Sequence, residues 1–587
     1  MPQPRLERRL AELADLRYSF HAGDGEKVEK LLRALDRGRF IDAPSLIRFH
    51  ETLMFLRAFP QSAAVLRLTE RILNRFHEKV EALHQSGADM DEFDTFEHSG
   101  IAGTTMEDTL SFDVARWLIH RMPGQVEIAW DNYDPGRELG TSGPRFMPLL
   151  EDDAFVEADT PFRRWLETAT PRAATKGRGK ANATTACWLI DCFDQLPLPS
   201  QQKAELYESL RIPLRWNLGD SRITRTRNWQ SPRKVFYHRR PLISRSQVSL
   251  ADELARRPPS FTRLSLQEGR RIADMIREVM LVRYRELYGT TLADPRSVVR
   301  VDFGTEITSD STRGLEIYLW NLPPERRLPL RAYVAGFTLK NGVPINYIEA
   351  IGLCEWMEVG FNTFYTFRGG EAGWIYAQIL RALCAFMGAT VISVYPYQLG
   401  HDNDEAIESG AFWFYRKLGF RPGRADLRKL VEGEEKKIAT DPQYRTPVRT
   451  LKRLAAGHVF YELPGSEPGA WDTFSTRNIG LRVNQRMAAK FAGNADRMRA
   501  RAKQALERIL RINTSDWAPL ERSAFENFAL VTGEGRDFHK WTAAERKEWV
   551  RVIRAKAERD EILYLHLTQR HARLRRLLIK MGTSGNE

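Results

Sequence analysis

Residues 405–420 read EAIESGAFWFYRKLGF. The stretch predicts one complete helix that runs into a strand. Asn403 or Asp402 can cap its start, and Asp404 and Glu405 lie in the first turn, where the helix dipole favours carboxylates. Ile407, Ala411, Phe414 and Leu418 recur at helical spacing and make one apolar stripe. Arg416 and Lys417 fall in the last turn, and Gly419 can take the left-handed closing position. Tyr415 sits at the edge of the stripe, with its ring packed and its hydroxyl free to reach a cleft. Phe420 then enters a strand.

Before that stretch, strands and helices alternate. Residues 264–291 read as one or two helices, with Ile272, Met275, Ile276, Val279 and Val282 as the stripe. A short strand follows at 314–320. RAYVAGFTLK (331–340) and PINYIEAIGL (344–353) flank Asn341, Gly342 and Val343, a strong hairpin signal. A third long strand spans 355–367, and RGGEAG (368–373) is a Gly-rich turn. Residues 374–387 read as a helix closed by Gly388. TVISVYPY (390–397) is nearly all apolar, as a buried parallel strand is. Beyond the opening stretch, 426–456 reads as a helical insertion and 458–463 as a last strand. A strand, a Gly-rich turn and a helix N-terminus in succession make a ready anion site, because N–H groups converge there and the dipole adds positive potential.

Ala411, Tyr415, Lys417, Gly419 and Phe420, as A-x-x-x-Tyr-x-Lys-x-Gly-Phe, resemble the late helix–strand signature of the GNAT-type N-acetyltransferase superfamily. The order of elements from 264 to 425 is similar to that fold. The resemblance implies an α+β chain: a central mixed-sheet GNAT-like domain at 264–465, flanked by a large mainly helical N-terminal region and a helical C-terminal region. It implies acetyl-CoA or another acyl-CoA as co-substrate, no metal, and an amine acceptor that the sequence does not identify.

The family's pyrophosphate loop follows Arg/Gln-x-x-Gly-x-Gly/Ala. Arg368 matches the first position and Gly373 the last, with Gly369, Gly370 and Ala372 between them. Glu371 stands where the central glycine belongs. A carboxylate there repels a pyrophosphate unless it turns outward. The resemblance further implies that the backbone of Val359, Gly360 and Phe361 meets the thioester, and that Tyr415 protonates the departing thiolate. A phenol suits that task, since phenol and thiol both ionise well above neutrality. Glu358 is the candidate base, with Glu349, Glu355 and His401 as neighbours or rivals. Alternation puts Glu355 and Glu358 on different faces of their strand unless a bulge intervenes. Where the family often has Asn, seven residues before the Tyr, this chain has Glu408; Asn403, about a turn earlier, is the substitute candidate. Cys354 and Cys384 read as buried core, so direct transfer in a ternary complex is expected.

The chain has 587 residues, 42% of them apolar, with 14 Trp and 30 Phe, which is globular and too long for one core. Its 89 Lys and Arg against 76 Asp and Glu leave a net charge of +13, favouring an anionic partner. The four cysteines lack zinc-finger spacing. The N-terminus is charged and lacks a signal core, and the best apolar run, near 377–395, is broken by Arg381, so a cytoplasmic protein without a membrane partner is expected.

Residues 1–85 read as helical and 86–263 as a mixed α/β region. Asp89, Asp91, Asp94, Glu97 and His98 read as a solvated loop rather than a metal site. Residues 135–148 are Gly/Pro-rich, and 174–185 form a candidate linker. Residues 222–245 hold eight Lys or Arg and no acid, interleaved with Trp229, Phe236 and Tyr237. Three readings stand: a basic segment gripping the rest of the chain, a site for a polyanion, or a contact to a CoA phosphate. From 466 on the chain is helical, with charged amphipathic stretches at 487–512 and 544–578 that either pack on the catalytic domain or form a partner surface. Two rivals to the transferase stand beside it: a GNAT-like scaffold without cofactor, and a nucleic-acid-associated protein using 222–245.

Overall fold

The computed structural model describes residues 3–21, 23–133, 145–147, 162–171, 181–232, 234–304, 312–532 and 538–583. The Gly/Pro-rich segment at 135–148, apart from 145–147, and the first part of the linker reading at 174–185 lie outside them. Residues 181–185 belong instead to the helix Ala181–Gln195. The chain divides into two compact units. One comprises Met1–Pro241, Asp274–Thr291 and Asn341–Val343, the other Leu242–Ala273, Leu292–Lys340 and Pro344–Glu587.

The first unit opens with the helices Gln3–Leu16, Asp24–Asp36, Ala43–Ala58, Ala63–Asn74 and Phe76–Gln85. Local chemistry starts two of them: Asp42 accepts from the Ser45 N–H and Ser62 from the Val65 N–H. A three-stranded antiparallel sheet follows, made of β1 (Thr105–Thr109), β2 (Val126–Ile128) and β3 (Pro213–Asn217), with β3 in the middle. Trp216, Phe193, Leu118 and Val282 are among its core residues.

The basic stretch at 222–245 goes partly into this unit. Thr224, Arg225, Thr226, Asn228 and His238 are buried, and the Arg225 guanidinium donates to the Glu97 carbonyl. Trp229 lies under the Arg57 guanidinium at 5.4 Å. The Asn341 side chain donates to the carbonyls of Ala58 at 2.8 Å and Phe236 at 3.0 Å. Arg222, Lys234, Arg239 and Arg240 remain exposed.

In the second unit, the described residues form a nine-stranded sheet. Its strands are β4 (Ser260–Arg263), β5 (Val299–Asp302), β6 (Leu315–Asn321), β7 (Ala332–Lys340), β8 (Val343–Leu353), β9 (Trp356–Thr363), β10 (Val391–Val394), β11 (Arg421–Pro422) and β12 (Val459–Glu462). The spatial order is β11-β12-β10-β9-β8-β7-β6-β5-β4. β9 and β10 run parallel, and the helix Ala372–Met387 makes the crossover that a parallel pair requires. All four residues of β10 are buried, as a doubly covered strand should be.

Three expectations need correction. The strand read at 390–397 stops at Val394, because Pro396 has no N–H for the ladder and opens the helical turn Pro396–Leu399. The single helix expected over 405–420 is two, Asp404–Glu408 and Ala411–Lys417, parted at Gly410 with φ 69°. That break turns the second piece, so Phe412, Tyr415 and Leu418 are buried while Ala411 and Phe414 are only half-buried. The C-terminal helices are shorter than the amphipathic stretches suggested: Thr476–Phe491, Ala495–Leu510, Pro519–Thr532, Ala543–Ala557, Glu561–Arg570 and Ala572–Gly582. Among the described residues no helix is long and apolar enough to cross a membrane.

Candidate functional site

The sheet opens between β9 and β10. Their register covers only Trp356, Met357 and Glu358 against Val391, Ile392 and Ser393. On its other side β9 stays paired with β8 through Thr363. From Val359 to Thr363, β9 therefore has one strand neighbour. A free strand edge presents backbone N–H and C=O groups to any extended ligand.

The β8–β9 register is unbroken, so the bulge that the resemblance allowed is absent. Alternation then assigns Met357, Val359, Phe361 and Thr363 to one face, and Trp356, Glu358, Gly360 and Asn362 to the other.

The first face is aromatic. The Phe361 ring lies 4.9 Å from that of Tyr376, and Tyr376 lies 5.6 Å from Tyr415. Phe414 and Phe420 complete the group. Tyr415 is buried at 4% exposure, near the middle of its helix's buried face rather than at its edge. Burial pushes its phenol above the usual range. Tyr376 is fully buried, and its hydroxyl has no hydrogen-bond partner among the described residues. In sequence Tyr376 is one more apolar-stripe position of its helix; only its neighbours reveal it as a second phenol beside Tyr415.

The second face carries carboxylates. Glu358 accepts from His458 Nε2 at 3.0 Å and lies 3.7 Å from Arg331. Glu349 stands directly across from Gly360. It accepts from the Tyr333 hydroxyl, and burial raises its carboxyl above the usual range. A Cβ on Gly360 would meet Gln398 Nε2 and Glu349 no closer than 3.8 Å, so the glycine leaves space there. Asn362 Nδ2 donates to the Tyr347 hydroxyl at 3.3 Å. Glu358 and Tyr415, the pair singled out from sequence, thus lie on opposite faces of the sheet. Glu355 is taken by Arg575 and by Trp471 Nε1 at 2.8 Å, and His401 is an exposed neighbour of Asp402.

The Gly-rich turn leads into the helix Ala372–Met387. The Glu371 carboxylate goes inward, which corrects the outward turn that the sequence allowed. It binds Lys340 Nζ at 2.8 Å, pairs with Arg313 and accepts from the Ile243 N–H at 3.1 Å. Burial opposes its ionisation, but the two cations prevail and hold it at about 2. Gly369 is exposed, and Gly370 and Ala372 are half-buried. Gly373 is buried with Arg245 across it; a Cβ there would lie 3.2 Å from the arginine side chain. Arg368 pairs with Glu405 at 2.5 Å and donates to the Thr363 carbonyl. The Asn403 side chain accepts from the Ala406 N–H and donates to the Tyr397 carbonyl, so it serves as a helix cap rather than facing a ligand.

The structure places Val359, Gly360 and Phe361 at the parting of β9 and β10, with Tyr415 reaching Phe361 only through the ring of Tyr376. It leaves Arg368, Gly369 and Gly370 on the turn that follows, and removes Gly373 and Asn403 from direct reach. Among the described residues no three His, Cys, Asp or Glu side chains gather as a metal site. Compared with protein-family models, curated proteins and solved structures, the chain has no match in any of the three.

Proposed function

We propose that the second unit is an acyl-CoA-dependent N-acyltransferase acting on an amine by direct transfer. The observation that carries this reading is the parting of the parallel pair after three residues, immediately before a Gly-containing turn and a helix N-terminus. The free edge of β9 suits the extended, amide-bearing arm of the thioester. The unpartnered Tyr376 hydroxyl beside Phe361 is a donor that such an arm would satisfy. The exposed Gly369, with Arg368, suits the diphosphate end. Lys340 and Arg313 neutralise Glu371 and remove the repulsion that its position suggested.

The thioester supplies the acyl group. The amine nitrogen bonds to the carbonyl carbon, and the C–S bond breaks. Glu349 fits the proton acceptor better than Glu358, because burial raises its carboxyl and no cation pairs with it among the described residues, whereas Glu358 is held by His458 and Arg331. Glu349 shares the face of Glu358, so the acceptor and Tyr415 act from opposite sides of the parted strands. Tyr415, whose ring lies within the aromatic group beside β9, is the donor to the leaving thiolate.

A specific observation favours the scaffold reading as the second choice: Arg245 lies across Gly373 and narrows the turn. Thermal unfolding separates the two. Acetyl-CoA at about a hundredfold excess over its dissociation constant stabilises by about 2.7 kcal/mol, which raises the transition measurably. Arg368→Glu is expected to abolish the rise. No rise for the wild-type chain at saturating ligand leaves the scaffold reading standing and removes the enzyme.

A further inference from the structure

Residues 476–511 hold ten Lys or Arg against two acids, Asp496 and Glu507. This excess is a large part of the whole chain's net charge of +13. The stretch folds as the helices Thr476–Phe491 and Ala495–Leu510, joined through Ala492 and Gly493, both with left-handed backbone. Met498, Ala502, Leu506 and Leu510 recur every fourth residue and are the buried side of the second helix. At 100° per residue, Arg497, Arg501 and Arg508 fall on the opposite side, and all three are exposed. Arg511 follows at the helix end, also exposed.

Glu507 does not quench this row. The Glu507 carboxylate is turned to Thr514, accepting from its N–H at 3.2 Å and its hydroxyl at 2.6 Å. Among the described residues no carboxylate lies within ion-pair distance of Arg497, Arg499, Arg501 or Arg511.

We propose that this helical pair is a docking surface for the phosphate backbone of a nucleic-acid duplex. The arginine row runs about 16 Å along the helix, at 1.5 Å per residue. Phosphates recur every ~3.4 Å of axis along one strand, so the row spans about five of them. An extended polyanion matches this row of cations, whose neighbouring acid Glu507 is engaged by Thr514. A lipid surface fits less well, because insertion needs an exposed apolar face and Leu481 is the exposed large apolar side chain of this stretch. The proposal is independent of the acyl-transfer reading and assigns the polyanion to residues other than 222–245.

The test is fluorescence anisotropy of short labelled DNA and RNA duplexes of mixed sequence, titrated with the full chain across a range of salt. The expected result is binding whose logarithm falls linearly with the logarithm of salt concentration. The quadruple variant Arg497→Glu, Arg501→Glu, Arg508→Glu, Arg511→Glu weakens binding at least about tenfold at low salt and flattens the slope by about 0.9 for each phosphate that is no longer neutralised. Because those side chains are exposed, its circular dichroism and melting stay as in the wild type. A second variant, Arg222→Glu, Arg239→Glu, Arg240→Glu, binds as the wild type does. Three results overturn the proposal: no duplex binding by the wild-type chain at low salt, a quadruple variant that binds undiminished, or binding to phosphatidylserine vesicles in place of duplexes.

Discussion

Glu371 occupies a position where a small residue would suffice for a turn, and its charge is absorbed within the second unit by Lys340 and Arg313. Removing one partner of such a buried pair costs about 3–5 kcal/mol, because the other charge stays buried. Glu371→Ala is expected to lower stability by about that amount in chemical denaturation. The pH dependence has a definite sign. The folded-state pKa is about 2, below the ordinary 4.5, so the stabilisation is complete above about pH 4.5 and is lost as pH falls toward 2. The variant's stability therefore declines less steeply across that window. Tyr376 makes a second residue-scale prediction. Its buried hydroxyl has no described partner, so Tyr376→Phe leaves the ligand-free melting temperature unchanged or higher. If the hydroxyl serves the thioester, the same substitution reduces the acetyl-CoA shift. A purely packing role leaves that shift intact.

Elements are set by where chains can bend. The two-residue turn between β7 and β8 has Asn341 at φ 48° and Gly342 at φ 80°, the geometry that an Asn-Gly pair favours. A Cβ on Gly342 would come within 1.9 Å of the Gln230 carbonyl oxygen, whereas one on Gly410 meets nothing within 4 Å. Gly410→Ala is expected to cost only the left-handed backbone strain, about 1–2 kcal/mol. Gly342→Ala costs more, since the clash adds to the strain. Denaturation midpoints of the two variants check the order. The hairpin was legible because Asn-Gly between apolar runs is a local signal. The break at Gly410 was not, because an isolated glycine in a helical pattern is usually tolerated.

At the scale of the molecule, charge is unevenly spread. The stretch with the most obvious basic and aromatic signature, 222–245, sends Arg225 and His238 into its own unit. In the helical pair at 476–511, diluted in sequence by Ala, Gln and Leu, Arg482 and Arg486 donate to the Thr583 and Leu530 carbonyls, while the second helix displays Arg497, Arg501 and Arg508 outward. Acyl transfer and duplex binding are assigned to different residues. The quadruple arginine variant should therefore keep the acetyl-CoA melting shift of the wild type while losing duplex affinity, and parallel melting and anisotropy measurements check this.

The sequence by itself determined the main helix and strand order from the strand at Leu315 to the strand at Val459, though not the strand Val299–Asp302, the helical turn after Pro396 or the break at Gly410, and it determined the hairpin at Asn341 and Gly342 and the turn before Ala372. These follow from apolar periodicity and turn chemistry, which act over a few residues. Only the tertiary structure decided that β9 leaves β10 after Glu358, that Glu358 and Tyr415 face opposite ways, that Glu371 turns inward, and which arginines meet solvent. Each depends on a partner far along the chain: strand register on the neighbouring strand, and the fate of a charge on which counter-charge folding brings beside it.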